Sequence, residues 1–414
     1  MSNTTKTAIN WEVGPIFRAL MRNKVGAFLI AIQIAVTMTI IVNSVFIIVE
    51  RSHKMQRESG IDEDNTFYLS SLGFGNNFNA KVSIQEDLNL LRNLPGVVDA
   101  MQINAIPISG SGWSMSLQTQ PGAEYDGVGT AVYMVDQNAL NTLDVELIAG
   151  EKFVATDIRW RDESTGTWPD KIIITKSLAL SLFPDDEWQT VVGKTVYIND
   201  VEPMTIGGII DQLQAPWTDW DKVENVMLSP EQMDQESTRY IIRTEAGRRD
   251  ELMPQIEELL ANSNKNRILK GMRSLQETRE RSYRGHTAMI KILSTIMVIL
   301  TIVTALGIVG MASFSVNQRK KQIGTRRALG ASQAAIVRYF MVENLLISTV
   351  GVVFGALLTI GLNIVLVNVF NLAKIDWYYV PIGMIVLWLV GQIAVFGPAK
   401  KAATIPPALA TRTV

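Results

Sequence analysis

Cysteine is absent from the 414 residues, and histidine occurs only at His53 and His286. The first absence excludes disulfides, thiolate metal sites and cysteine nucleophiles. The scarcity of histidine argues against a histidine-rich metal centre or a histidine-based triad. Net charge is also lacking, at −2, so the basic surplus typical of nucleic-acid binders is missing and no nucleic-acid partner is expected. Apolar residues are plentiful, at 47%, while charged ones still make up 19%. That mixture predicts a polar domain joined to membrane spans.

A helix crosses the bilayer core with roughly 20 apolar residues. Four runs meet that length without a single charge: Val25–Val49, Ile292–Val316, Asn344–Ala373 and Trp377–Ala399. The last opens on Trp377, Tyr378 and Tyr379, aromatics suited to a headgroup boundary. The first run is longer than the ~7–15-residue core of a signal peptide and no small-x-small site ends it, so it is read as a span. Before it, Trp11, Ile16, Phe17, Leu20 and Met21 can share one face of an interfacial helix.

The fold class expected is an α-helical membrane protein with one N-terminal and three C-terminal spans and a large α+β extracytoplasmic domain in two lobes. The boundaries are an interfacial helix over 1–24, spans over 25–49, 290–316, 341–373 and 377–399, an outer domain over 50–289, a cytoplasmic segment over 317–340 and a tail over 400–414. Orientation follows the basic flanks. Lys6, Arg18, Arg22 and Lys24 precede the first span, and Lys400, Lys401 and Arg412 follow the last. Six basic residues and no acidic one lie in the segment 317–340. All three flanks fall on one side, which places both termini in the cytoplasm and residues 50–289 outside.

The outer block reads as a soluble domain. "KIIITKSLALSLF" is a strand followed by a helix, "KTVYINDVEPMTIGGIID" is two strands joined at Asn199-Asp200, and Leu252, Ile256, Leu259 and Leu260 have helical spacing. The stretch 159–170 reads as a polar loop. "VVGKT" (191–195) imitates a phosphate-binding loop, but the required earlier glycine is Trp188 and a β-branched strand follows instead of a helix. No nucleophile, base and orienting group can be named together, so no enzyme activity, cofactor or metal is expected in this chain.

In the segment 317–340, Gly330 is placed to end a short helix and Ser332 to cap the next, which climbs into the third span. Its charge suits the cytoplasmic face and anionic lipid. Its apolar residues, Ile323, Ala328, Leu329 and Ala331, suit packing into a partner's groove. Within the spans, Gln33, Thr37, Asn43 and Ser44 need protein partners, and Gly351 with Gly355 forms a small-xxx-small pair; contact within the chain and contact with a second copy are equally compatible. Glu343, the lone acid at the third span's mouth, has Arg338 and Arg327 as candidate partners, or water.

"RKKQIGTRRALGASQAAIVRYFMVENLLIS" resembles the cytoplasmic hinge of FtsX-like and MacB-like ABC-transporter permeases, whose usual form is R-x-x-E-I-G-I-R-x-A-L-G-A. "GPAKKAATIPPALATR" is similar to their closing motif. "LRNLPGVVDA", "LIAGEKFVATD", "KIIITKSLALSLFP", "VVGKTVYINDVEPMTIGGIID" and "YIIRTEAG" resemble, in order, pieces of the MacB-like periplasmic core domain. The resemblance spans nearly the whole chain. It implies a type VII permease of the bacterial inner membrane with its large domain in the periplasm. Such a permease works as a dimer, with a second copy or a paralogue, beside two cytoplasmic ATPases that bind ATP and Mg. It relays their motion outward by mechanotransmission, in some systems with a periplasmic adaptor. Carried over by position, Ile323, Gly324, Arg326, Arg327, Ala328, Leu329, Gly330 and Ala331 are the expected ATPase-coupling residues; Gln322 and Thr325 depart from the motif. No Walker A is present, so the ATPase is expected on a separate polypeptide. Export of a hydrophobic or peptide-like compound is the leading implication. Lipoprotein extraction of the Lol type and an FtsX-like relay controlling envelope enzymes are the alternatives, the latter disfavoured by the size of the outer block.

Overall fold

A computed structural model of the chain describes residues 14, 16, 18, 20, 24–161, 164, 166–370 and 373–407. The chain divides into two compact units, one comprising 1–53 with 286–414 and the other 54–285.

The first unit is helical. Among the described residues, four helices are long and apolar enough to cross a membrane: Lys24–Met55, Arg284–Gln318, Gln333–Phe370 and Tyr379–Ala403. Each overruns its apolar stretch, because flanking polar residues continue the helix beyond it. The first helix inserts a stripe at four-residue spacing, Ile30, Ile34, Met38 and Val42. The stripe packs against Ile308 of the second, Val352 of the third, and Leu387 and Val395 of the fourth. This is the i, i+4 face that a helix presents to one set of neighbours. Of the expected interfacial helix, Ile16 is helical and buried, while Trp11, Phe17 and Met21 lie outside the described residues.

The second unit is α+β. Strands β1 (Thr66–Gly73), β2 (Val97–Gln102), β12 (Ser237–Thr244) and β13 (Arg267–Ser274) form an antiparallel sheet in the order β13-β1-β12-β2. Helices Ala80–Arg92 and Arg249–Ser263 follow β1 and β12 and pack on this sheet through Ile84, Leu88, Leu91, Leu252, Ile256 and Leu260. The result is a ferredoxin-like arrangement, interrupted between its second and third strands.

The interruption carries β3 (Trp113–Gln118), β4 (Val128–Met134), β5 (Leu147–Gly150), β6 (Arg159–Arg161), β7 (Lys171–Thr175), β8 (Thr195–Ile198), β9 (Glu202–Ile210), β10 (Val226–Ser229) and β11 (Glu231–Met233). The order β9-β7-β10-β4-β3-β8 returns to β9, because β8 pairs with both β3 and β9. The ring therefore closes, which removes the free edges an open sheet would expose. Alternation along the strands separates two cores. Val132, Met134, Ile172, Ile174, Val196 and Met204 join a cluster drawn from all six ring strands. Ala131, Tyr133, Ile173 and Leu228 instead join Tyr68, Met101 and Ile241 of the antiparallel sheet. The two expected lobes thus exist, but they share a core.

Polar groups complete this joint. The Asn104 side chain donates to Val132 O at 3.0 Å and accepts from Met134 N at 2.9 Å, and Gln102 exchanges similar bonds with the Met233 backbone. Arg92 bridges the buried carboxylates of Asp99 and Asp136. Burial pushes the Asp136 carboxyl up from its ordinary range, against the opposing pull of Arg92.

Several expectations meet the structure directly. The strand–helix reading of 171–183 holds, with Thr175 capping the helix. The Asn199-Asp200 turn holds as well, both residues lying at positive φ, 50° and 68°. "VVGKT" follows a single 3-10 turn, passes Gly193 at φ +86° and enters β8. The stretch 159–170 is not simply a polar loop: β6 pairs in parallel with β11. Glu231, buried at the start of β11, explains that pairing. Arg159 and Arg161 reach its carboxylate at 3.0 and 3.1 Å, and Ser229 donates to it at 2.8 Å.

Candidate functional site

The segment after the second span begins at a break. Its helix ends at Gln318, Arg319 departs from helical geometry, and a new helix runs Lys320–Ala328. Gly330 sits at φ +95°, a conformation only glycine adopts without strain. Its N–H donates to Arg327 O at 3.1 Å, and the Ala331 N–H donates to Arg326 O at 3.0 Å. Helix closure of this kind satisfies the last carbonyls. The Ser332 hydroxyl then accepts from Ala335 N at 3.1 Å, capping the helix Gln333–Phe370 as its sequence predicts.

This corner is fastened from behind. Ile323 is buried with Val316 of the second span, Ile336 and Phe340 of the third helix, and Ala399, Ala402 and Ala403 of the fourth. Ala331, half-buried, packs against the same cluster. Gly324 is buried beside Ile323. The expectation that Ile323 offers itself to a partner is therefore corrected: its side chain holds the segment to its own bundle. Arg327 is half-buried and donates to Ala331 O at 2.8 Å, so it braces the corner too.

What faces outward is a smaller set. Leu329 is 83% exposed, and Arg326, Ala328 and Gly330 are exposed beside it. An open depression of about 520 Å³ lies here, lined among others by Arg326, Leu329, Arg338 and Tyr339. Of the eight expected coupling residues, Arg326, Ala328, Leu329 and Gly330 form a surface, while Ile323, Gly324, Arg327 and Ala331 support it.

Glu343 corrects a second expectation. It pairs with neither Arg338 nor Arg327 and is not solvated. It is buried, and Arg319 reaches it at 3.0 Å while also donating to the Tyr339 hydroxyl at 3.1 Å. Arg326 lies over the Tyr339 ring, 4.9 Å from its centroid.

Three polar residues of the first span find partners inside the chain. Gln33 donates to Val303 O at 3.1 Å, the Thr37 and Thr304 hydroxyls lie 2.8 Å apart, and Asn43 reaches Thr359 O at 3.4 Å. A methyl group at Gly351 would come within 2.8 Å of Ile34 Cβ and 2.9 Å of Ala31 O; one at Gly355 would meet Met38 Cβ at 2.9 Å. Both glycines let the first and third helices approach, as small residues do in membrane bundles. Gly310 and Gly361 meet nothing within 4 Å. Among the described residues, no group of three or more histidine, aspartate or glutamate side chains is placed to hold a metal.

Comparison with known proteins places these features in a family. Residues 26–259 match the MacB-like periplasmic core domain, and residues 294–407 match the FtsX-like permease C-terminal domain. The macrolide export ATP-binding/permease protein MacB of Chromobacterium violaceum is 25% identical over 298 residues, covering 68% of this chain and 43% of the relative. The protein of the same name from Shewanella oneidensis is 25% identical over 362 residues, covering 81% of this chain and 50% of the relative. The chain thus spans half or less of the length of these relatives. Among solved structures, the extracellular domain of the noncanonic ABC-type transporter YknZ from Gram-positive bacteria aligns over 49% of this chain and all of that one. Its TM-score is 0.31 and its identity 14%, a likeness too distant to add to the argument.

Proposed function

Because the chain belongs to the family of ABC-transporter permeases with a MacB-like periplasmic core domain and an FtsX-like C-terminal domain, we propose that it converts ATP hydrolysis by a cytoplasmic ABC ATPase into movement of its outer domain. The ATP and Mg belong to that ATPase, and no Walker A motif occurs within these 414 residues. The working unit pairs two permease chains with an ATPase dimer. The basic flanks of the spans orient both termini and the segment 317–340 toward the cytoplasm of an inner membrane, with the outer domain in the periplasm. The cargo class is a hydrophobic or peptide-like compound exported from the periplasmic side, in keeping with relatives named as macrolide exporters. A periplasmic adaptor would complete that route.

The observation that carries the reading is the division of labour at the corner. Arg326, Ala328, Leu329 and Gly330 face outward, while Ile323 and Arg327 behind them tie the surface to the bundle. An exposed leucine among basic residues at a membrane-adjacent corner suits a hydrophobic anchor with a polar rim. Leu329→Asp tests the reading without disturbing the support. Co-purification of an ABC ATPase with the tagged chain is expected to be lost, with membrane insertion and yield unchanged. Undiminished ATPase recovery with Leu329→Asp overturns the assignment.

A further inference from the structure

A charged pair largely withdrawn from water at the mouth of a spanning helix is costly unless it holds something in place. Arg319 occupies the single-residue break between the second span and the short helix Lys320–Ala328. Glu343 lies on the third helix. Their side chains are 18% and 9% exposed and meet at 3.0 Å. The same guanidinium donates to Tyr339, one turn before Glu343, at 3.1 Å. The ring of that tyrosine carries Arg326 from the other end of the short helix. Both ends of the short helix are thereby held to one turn of the third helix, and Ile323 in the middle is buried against Ile336 and Phe340.

We propose that Arg319, Tyr339 and Glu343 form a latch that makes the coupling segment and the third span move as one body, so that displacement at the corner reaches the third span without slack. These are positioning residues, and the proposal rests on the ATPase-coupling reading above. Arg319 is the one break between two helices, which is where relative rotation would otherwise be absorbed. A planar guanidinium bonded at once to a carboxylate and a phenol is restrained in direction as well as distance. An apolar contact alone would resist separation but not sliding.

The absence of native cysteine makes the test direct. Spin labels at Leu329→Cys and Phe354→Cys, both exposed, report the distance from the corner to the third helix in the full-length chain. A narrow distribution is expected in the parent, a broad one in Glu343→Gln, and a narrow one again in the charge-exchanged Arg319→Glu/Glu343→Arg pair. Should Glu343→Gln not accumulate, Tyr339→Phe tests the same point: it keeps the ring and the charge pair but removes the hydroxyl that the same Arg319 nitrogen holds, and broadening is again expected. A second measurement reads function. With the co-purified ATPase, ATP and vanadate should change hydrogen exchange of the outer domain in the parent, and that change should be lost in Glu343→Gln while ATPase recovery is retained. A distribution that stays narrow in both single variants, or an undiminished ATP-driven change, overturns the latch. If the parent recovers no ATPase, the docking assignment fails, and the label distances still decide the latch.

Discussion

Gly351→Ala compared with Gly361→Ala measures the contact between the first and third spanning helices. Both substitutions lie on one helix, Gln333–Phe370, and both exchange a glycine for the best helix former. That exchange stabilises a helix interior by roughly 0.5–1 kcal/mol, and the gain cancels in the comparison. The new methyl at Gly361 meets nothing within 4 Å, whereas the one at Gly351 arrives 2.8 Å from Ile34 Cβ and 2.9 Å from Ala31 O. Neither obstacle can step aside, because one is a branched β-carbon and the other a backbone carbonyl. The helices must part by several tenths of an ångström, loosening the packing of Ile30, Ile34 and Met38 on Val352. Overpacking of this kind costs about 1–3 kcal/mol. We therefore expect Gly361→Ala to be neutral to slightly stabilising and Gly351→Ala to fall about 1–3 kcal/mol below it. Equilibrium unfolding of the purified chain in a mixed detergent system reads both values. Equal stability of the two variants would refute the close approach of the helices at Gly351.

Ile323→Ala should cost about 2–5 kcal/mol, because it empties a site packed by three spanning helices; Leu329→Ala, at 83% exposure, should stay within about 0.5 kcal/mol of the parent. Thermal unfolding of the full chain separates the two. Glu231→Gln removes the charge that Arg159 and Arg161 share. Breaking a buried pair costs about 3–5 kcal/mol, and the low end applies because Arg159 is 37% exposed and its share is screened by solvent. Hydrogen exchange should report that loss first at β6 and β11. For Asp136, burial raises the folded-state pKa above that of the unfolded chain, so the folded form binds the proton more tightly. The resulting stabilisation is complete below the unfolded pKa and is lost as pH rises through the folded one. The stability of the parent relative to Asp136→Asn should therefore decline with rising pH across that acid window and level off above it, as followed by denaturant titration at stepped pH.

Periodicity and punctuation carried much of the fold. Charge-free runs located the four spanning helices, and "KIIITKSLALSLF" and the Asn199-Asp200 turn declared their structure because their signals are local: β-branched runs, a capping threonine and residues tolerant of positive φ. The closed ring of strands was not legible. Closure depends on β8 pairing at once with β3 and β9, partners nearly 80 residues apart at the far side, and no local pattern encodes which strands meet. The β6–β11 pairing was hidden for a different reason. Its strands are three residues long, below the length at which alternation can be counted, and their order comes from Glu231, whose burial is a tertiary fact.

At the corner, the motif names eight neighbouring residues but not their directions. A helix of nine residues with apolar positions at Ile323 and Ala328 can point either one outward, and the packing of the second, third and fourth spanning helices decides that Ile323 turns in. Arg319 makes the same point for charge. Counting basic residues assigns a side of the membrane, because that count depends on summed charge alone. It treats Arg319 and Lys320 alike, although one is half-buried and paired with Glu343 and the other is exposed. The distinguishing information lies 24 residues away, in the single acid of the third spanning helix. A lone carboxylate there requires a cation, and the one that reaches it is Arg319 at the helix break.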